Sequence, residues 1–200
     1  MVVYPGDPPP DCRPLSIVQP GRPHSCSVTQ VSLSSHTGTH VDAPCHFVAG
    51  AASIDELPLD ILCGSARIVE LPRGAQMIDR AALERLSLHG AERVLFKTAN
   101  SERLDEPFTA DYVHLDESAA EWLRDRKVRL VGIDYLSVEA PGNPGHPVHH
   151  ILLEAEPPVI IVEGLDLRPV AAGDYELCVL PLRLVGVDGS PARAMVRPLR

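Results

Sequence analysis

The chain has 200 residues, of which 44% are hydrophobic and 22% charged, with a formal net charge of −9. That length can bury one substantial core, and the composition is far from that of disordered chains. Lys and Arg are scattered under an acidic balance, which argues against a nucleic-acid partner, and no apolar run approaches the roughly 20 residues that span a bilayer.

The N-terminus MVVYPGDPPP has no basic segment followed by an apolar one, so no membrane partner and a cytoplasmic address are expected. Five cysteines (Cys12, Cys26, Cys45, Cys63 and Cys178), an odd number without a CxxC pair, suit neither a disulfide framework nor a thiolate zinc knuckle and read as reduced, mostly packed thiols. Twenty prolines and 14 glycines predict many short elements punctuated by turns.

In chain order, YPGDPPPDCRP is too rich in proline for a helix or inner strand and reads as a surface loop. CSVTQVSLS (26–34) alternates apolar and polar residues and predicts a strand that delivers the chain into a histidine cluster. ARIVEL (66–71) is a short strand, MIDRAALERLSL (77–88) a helix, and RVLFKT (93–98) a buried strand. HLDESAAEWLRDRKV predicts a helix capped by Asp116 that runs directly into the strand VRLVGIDYLSV. PVIIVEGL (158–165) is an apolar strand, and two closing strands meet around Asp188-Gly189, a hairpin signal. Strands outnumber helices, so the expectation is one compact domain over residues 1–200 in the α/β range, with a mixed sheet and few helices.

The stretch SSHTGTHVDAPCHFV holds His36, His40, Asp42 and His46, all of one parity and so on one face of an extended chain. A straight strand would separate His36 from His46 by roughly 33 Å, so a shared site requires bends, which Gly38 and Pro44 supply. Three imidazoles and a carboxylate without thiolate suit zinc or manganese and leave a coordination position open. The bland alternative, histidines with ordinary structural partners, suits the isolated His24, His89 and His114 better than it suits four such residues on one face.

A second group, HPVHHILLEAEPPVIIVE, supplies His146, His149, His150 and Glu163, whose carboxylate after an apolar run is costly unless paired or metal-bound, the bland alternative being a strand end in solvent. Cys45 beside His46 is a packed thiol rather than a nucleophile, because neighbours in extended chain face opposite ways. Asp134 and Ser137 follow a buried strand and read either as supports of the site or as loop caps.

The run H-T-G-T-H-V-D-A-P-C-H resembles the HxGTHxDxPxH signature of the cyclase superfamily of metal-dependent hydrolases, which includes bacterial kynurenine formamidase (arylformamidase) and isatin hydrolase. YPGDP, VGIDYLSVE, HHILL, IIVEGLDL and DGSPARA extend the resemblance along nearly the whole chain. It implies a β/β/α, swivelling-domain-like fold assembling as a homodimer or homotetramer. It also implies hydrolysis of a small aryl formamide, foremost N-formylkynurenine, by water activated on one or two Zn²⁺ or Mn²⁺ ions. Carried over by position, His36, His40 and Asp42 hold a first metal, and Asp42, His149 and Glu163 a second. His46 is then the general acid/base. The segment between His149 and Glu163 is longer than the family's, which keeps His150 open as the alternative ligand. Tyr4 stands where kynurenine formamidases carry a substrate-contacting tryptophan, and the resemblance leads to the expectation of an opening strand before YPGD, almost at which this sequence begins. A lactam, lactone or isatin ring hydrolase, a biosynthetic cyclase or a non-enzymatic metal-binding scaffold are the other readings.

Overall fold

A computed structural model of the protein describes residues 2–23 and 25–199, so His24 lies outside the described residues. The chain opens with β1 (Asp11–Ser16) and β2 (Val28–Ser32), an antiparallel ribbon in which every residue is exposed. Two expectations are corrected here. The proline-rich opening is partly a strand, tolerated because Pro14 sits in a two-stranded ribbon where a missing N–H is no loss. The predicted strand over 26–34 is five residues long, pairs with β1, and reaches the histidine cluster only through a turn in which the Thr37 N–H donates to Ser34 O.

Seven strands then close into a barrel: β3 (His40–Asp42), β4 (Cys63–Glu70), β6 (Arg93–Lys97), β8 (Leu130–Ile133), β9 (Ile160–Glu163), β10 (Gly173–Pro181) and β11 (Gly189–Pro198), ordered β10-β11-β3-β9-β8-β6-β4. The neighbours from β4 through β6 and β8 to β9 run parallel, and the rest run antiparallel, so the expected mixed sheet is present and curls shut. A short α1 (Leu59–Leu62) leads into β4, and β5 (Met77–Ile78) pairs with β7 (His114–Leu115) outside the barrel. Three further helices cover the sheet: α2 (Arg80–Arg85), α3 (Glu117–Asp125) and α4 (Pro147–Leu153).

The parallel strands read as unbroken apolar runs because both faces are covered. Leu95, Leu130, Ile160 and Val162 fill the barrel with Val41, Ile68 and Leu177. Their neighbours Val94, Phe96, Val131, Ile133 and Ile161 face the helices, against Leu123, Leu152 and Ile78. Asp116 caps α3 as its sequence predicts, accepting from the Ala119 N–H at 2.8 Å, a contact worth about 1 kcal/mol. The helix expected over 77–88 is shorter, because Met77–Ile78 is taken by the pairing with β7 and Asp79 caps a helix that begins only at Arg80. No helix among the described residues is long and apolar enough to cross a membrane.

Parity fixes where the histidine cluster falls. Val41 points into the barrel, so His40 and Asp42 point to the outer face, where Ile161 also points. Antiparallel register sets His40 directly opposite Glu163 and Asp42 opposite Ile161 on β9. The start of α4 packs over this corner, bringing in His149.

Candidate metal centre and active site

Four predicted residues meet at this corner with side chains almost wholly buried: His40, Asp42, His149 and Glu163. His40 Nε2 lies 3.3 Å from Asp42 Oδ1 and 3.3 Å from Glu163 Oε2, and His149 Nε2 lies 3.4 Å from Glu163 Oε1. His36 reaches the same carboxylate from the other side, its Nδ1 2.9 Å from Asp42 Oδ1. Of the four compact donor groups among the described residues, two, His36–His40–Asp42 and Asp42–His149–Glu163, share Asp42.

The bends that the sequence requires are present. Gly38 takes φ +68°, the left-handed region open to glycine, and its carbonyl accepts from His40 Nδ1–H at 2.9 Å. Pro44 opens a short 3-10 turn, Pro44–His46, that swings His46 out of strand β3. His46 is partly exposed, tilted against the His36 ring at 4.1 Å between centroids, and its nitrogens touch neither Asp42 nor Glu163 within ion-pair distance. It lines a cavity of about 230 Å³ with Tyr4, Phe47, Leu136, Ser137 and His149. Tyr4 sits in the cavity wall, edge-on to Phe108 at 5.5 Å. His150, the alternative to His149, points away and pairs on the surface with Glu154 at 2.6 Å.

The electrostatics divide the histidines in two. Burial disfavours a charged His36, but its hydrogen bond to Asp42, with help from Asp188, outweighs it and lifts the pKa to about 9. Burial is likewise overcome at His149 by Glu139 and Glu163, to about 10, and at His40 by Asp42 and Glu163. His46 goes the other way: burial outweighs the pull of Asp42 and Asp188 and lowers its pKa. Asp42 and Glu163, despite burial, are held below the usual carboxylate range, Asp42 by His36 and His40 and Glu163 by His149 and His40.

These residues fit a divalent cation. His40 Nδ1 is spent on the Gly38 carbonyl, and its Nε2 is buried with no hydrogen-bond partner although it faces two carboxylates. A neutral ring would aim a lone pair at two negative charges there, at considerable cost. Positive charge between those oxygens, from protons or from a metal, relieves it, and nitrogen and oxygen donors with no thiolate suit zinc or manganese.

Two residues that pattern reading missed complete the corner. Glu139 accepts from His149 Nδ1–H at 2.6 Å and from the Val148 N–H at the start of α4. Like Glu163 it ends an apolar stretch, YLSVE, which is the signal that could have found it. Asp188, a turn residue by sequence, lies 3.0 Å from His36 Nε2 and 3.3 Å from His46 Nδ1, and no local pattern points to a partner some 150 residues away. Asp134 takes the loop-capping role, accepting from the N–H and hydroxyl of both Thr98 and Ser101. Cys45 is partly buried and burial pushes its thiol pKa up, in keeping with a packed thiol.

A closed mixed barrel whose outer face carries a buried imidazole–carboxylate cluster, with one histidine held apart beside a cavity, makes a site that suggests a metal ion, and its relatives make the chain an amidohydrolase. Residues 1–140 match the family described as "Putative cyclase", and the chain belongs to that family. It is 41% identical over 177 residues to the kynurenine formamidase of Geobacillus thermodenitrificans, covering 88% of this chain and 82% of that one. It is 39% identical over 173 residues to the kynurenine formamidase of Salinibacter ruber, covering 86% and 81%. A solved structure described as a potential metal-dependent hydrolase with cyclase activity superposes with a TM-score of 0.83 at 36% identity, over 98% of this chain and 90% of that one.

Proposed function

We propose that the chain hydrolyses N-formylkynurenine to kynurenine and formate using one or two divalent ions, zinc or manganese. The observation that carries this reading is the buried, unbonded Nε2 of His40 between Asp42 and Glu163, with His46 standing free of them at the cavity. On this reading His36 Nδ1, His40 Nε2 and Asp42 hold one ion, and Asp42, His149 Nε2 and Glu163 hold a second. His149 is preferred to His150 because His150 is engaged with Glu154 outside the cluster. When bound, such an ion lowers the pKa of water from about 15.7 towards 7 and supplies the nucleophile.

The protein's own groups do the rest. His46 is the group that moves the proton, because its pKa is pushed towards the neutral form and no cluster carboxylate ties it down. The hydroxyl of water joins the formyl carbon, His46 takes up that water's proton, the formyl C–N bond breaks, and His46 passes the same proton to the departing aryl nitrogen. Phe47, Leu136 and Tyr4 give the cavity apolar and aromatic walls for the ring, with Tyr4 as the substrate-contacting residue. The kynurenine formamidases at 39% and 41% identity support the choice of substrate. The enzyme is a cytoplasmic homodimer or homotetramer on this reading, a single domain over 1–200.

The test is chelation followed by metal return, with N-formylkynurenine assayed beside isatin and simple lactams. Formylkynurenine turnover is expected to vanish on chelation and to return with zinc or manganese. Full activity of metal-free protein overturns the metal-dependent reading, and faster turnover of isatin or a lactam overturns the substrate.

A further inference from the structure

Each histidine that faces the buried carboxylates turns one nitrogen towards them, and its other nitrogen is held by an oxygen outside the cluster. The holding oxygens are Gly38 O for His40 at 2.9 Å, Glu139 Oε2 for His149 at 2.6 Å and Asp188 Oδ2 for His36 at 3.0 Å. Such outer partners fix which nitrogen carries the proton and keep the other free. Asp188 differs from the other two because the same Oδ2 also lies 3.3 Å from His46 Nδ1. One carboxylate oxygen thus lies between the two tilted rings, hydrogen-bonded to His36 and within ion-pair distance of His46.

The backbone around Asp188 is built tightly against this pair. Its carbonyl accepts from the Ala43 N–H at 2.9 Å, at the junction where β3 turns into the His46 segment. At the next residue a Cβ would sit 2.9 Å from His36 Cε1 and 3.0 Å from Val41 O, so only glycine lets β11 come this close to the ring. We propose that Asp188 is a positioning residue shared by His36 and His46: it holds the proton on His36 Nε2, leaving Nδ1 to face Asp42, and the proton on His46 Nδ1, leaving Nε2 as the free nitrogen at the cavity. The assignment rests on the metal-dependent reading above, and it links the first metal group to the acid/base through one side chain.

The experiment uses the full chain loaded with zinc, and reads the His46 tautomer by long-range ¹H–¹⁵N correlation, zinc retention against a competing chelator, and kcat and KM for N-formylkynurenine. Wild type is expected to carry its His46 proton on Nδ1. Asp188→Asn is expected to lose that preference, to weaken zinc retention by about 10–100-fold and to lower kcat by a similar factor with KM little changed. Asp188→Glu, which keeps the carboxylate, is expected to recover part of both losses. A wild-type His46 protonated on Nε2, or an Asp188→Asn protein with unchanged tautomer and zinc retention, overturns the proposal. The wild-type tautomer decides the matter even if the variants fail to fold. If wild type holds zinc but leaves formylkynurenine intact, the substrate reading fails while tautomer and retention still decide the role of Asp188.

A second inference stands on residues remote from this corner. Cys63 opens β4 and Cys178 lies directly opposite it on antiparallel β10, with Sγ atoms 3.4 Å apart and both residues partly exposed. Opposed residues of antiparallel strands have Cα atoms about 4.5–5.5 Å apart, inside the range that a disulfide spans. We infer that the pair is an oxidisable dithiol site for a small disulfide such as oxidised glutathione. One thiolate attacks the oxidant and releases a first glutathione thiol; the other attacks the mixed disulfide, closes the Cys63–Cys178 bond and releases the second. Two electrons and both thiol protons pass to the glutathione. After such treatment, mass spectrometry is expected to find a cross-linked peptide lighter by about 2 Da than the two thiol peptides. Cys63→Ser is expected to leave Cys178 glutathionylated and uncrosslinked. Recovery of both cysteines as alkylatable thiols from the oxidised wild type overturns the inference.

Discussion

His40 and His46 lie six positions apart and have opposite surroundings. His40 is buried between two carboxylates with a nitrogen that has no hydrogen-bond partner among the described residues, whereas the His46 ring lines the cavity and comes within ion-pair distance of Asp188. Removing each should therefore separate binding from chemistry. His40→Ala leaves Asp42 and Glu163 facing each other without the imidazole, so bound metal and activity are expected to fall together. His46→Ala is expected to keep its metal while turnover drops by about 10²–10⁴-fold, the usual contribution of a positioned acid/base. Metal analysis beside single-substrate kinetics checks both, and near-normal turnover of His46→Ala would remove it from the mechanism.

At the scale of elements, the site depends on a close approach between β9 and the ligand loop. Gly164, just after Glu163, has φ +67°, and a Cβ there would lie 2.3 Å from the Gly38 carbonyl oxygen. The Thr39 hydroxyl also donates to the Gly164 carbonyl at 2.6 Å, so the two ligand-bearing segments are sewn together at this residue. Gly164→Ala is expected to cost about 2–4 kcal/mol, from left-handed strain plus overpacking, and to lower Tm by roughly 10 °C. A thermal melt of the metal-free protein reads the packing cost alone, and an unchanged Tm would refute the argument. The same segments explain what was legible in the sequence. The His36–His46 run announces itself because its ligands are local and its bends fall at Gly38 and Pro44, and β6, β8 and β9 announce themselves as apolar runs. Helix α4 was not legible: its seven residues begin at Pro147, after a left-handed His146, and its first turn is held by Glu139 from another segment. Nor could local pattern bring Asp188 to His36, since only closure of the barrel through β11 and β3 does so.

For the whole molecule, the β1–β2 ribbon is one part that a single barrel leaves uncovered. Leu15, Val28 and Val31 are about half exposed or more, and Ile17 and Val18 continue the patch beyond β1. A two-stranded ribbon is at best marginally stable in water by itself, and apolar side chains exposed on both of its strands are surface that a partner chain would cover. The ribbon springs from the site's own surroundings: Asp7, before it, lines the cavity, and Ser34, after it, accepts from the His36 N–H at 3.2 Å. Its ordering is thereby tied to that of the ligand loop. If the proposed dimer or tetramer covers this ribbon, light scattering coupled to size exclusion should give a mass that is a multiple of the single chain at micromolar concentration. The double substitution Leu15→Asp with Val31→Asp should then shift the protein to monomer and, through the loop that carries His36, weaken metal retention. A monomeric wild type would remove the assembly, and an intact oligomer in the doubly substituted protein would move its interface elsewhere on the barrel.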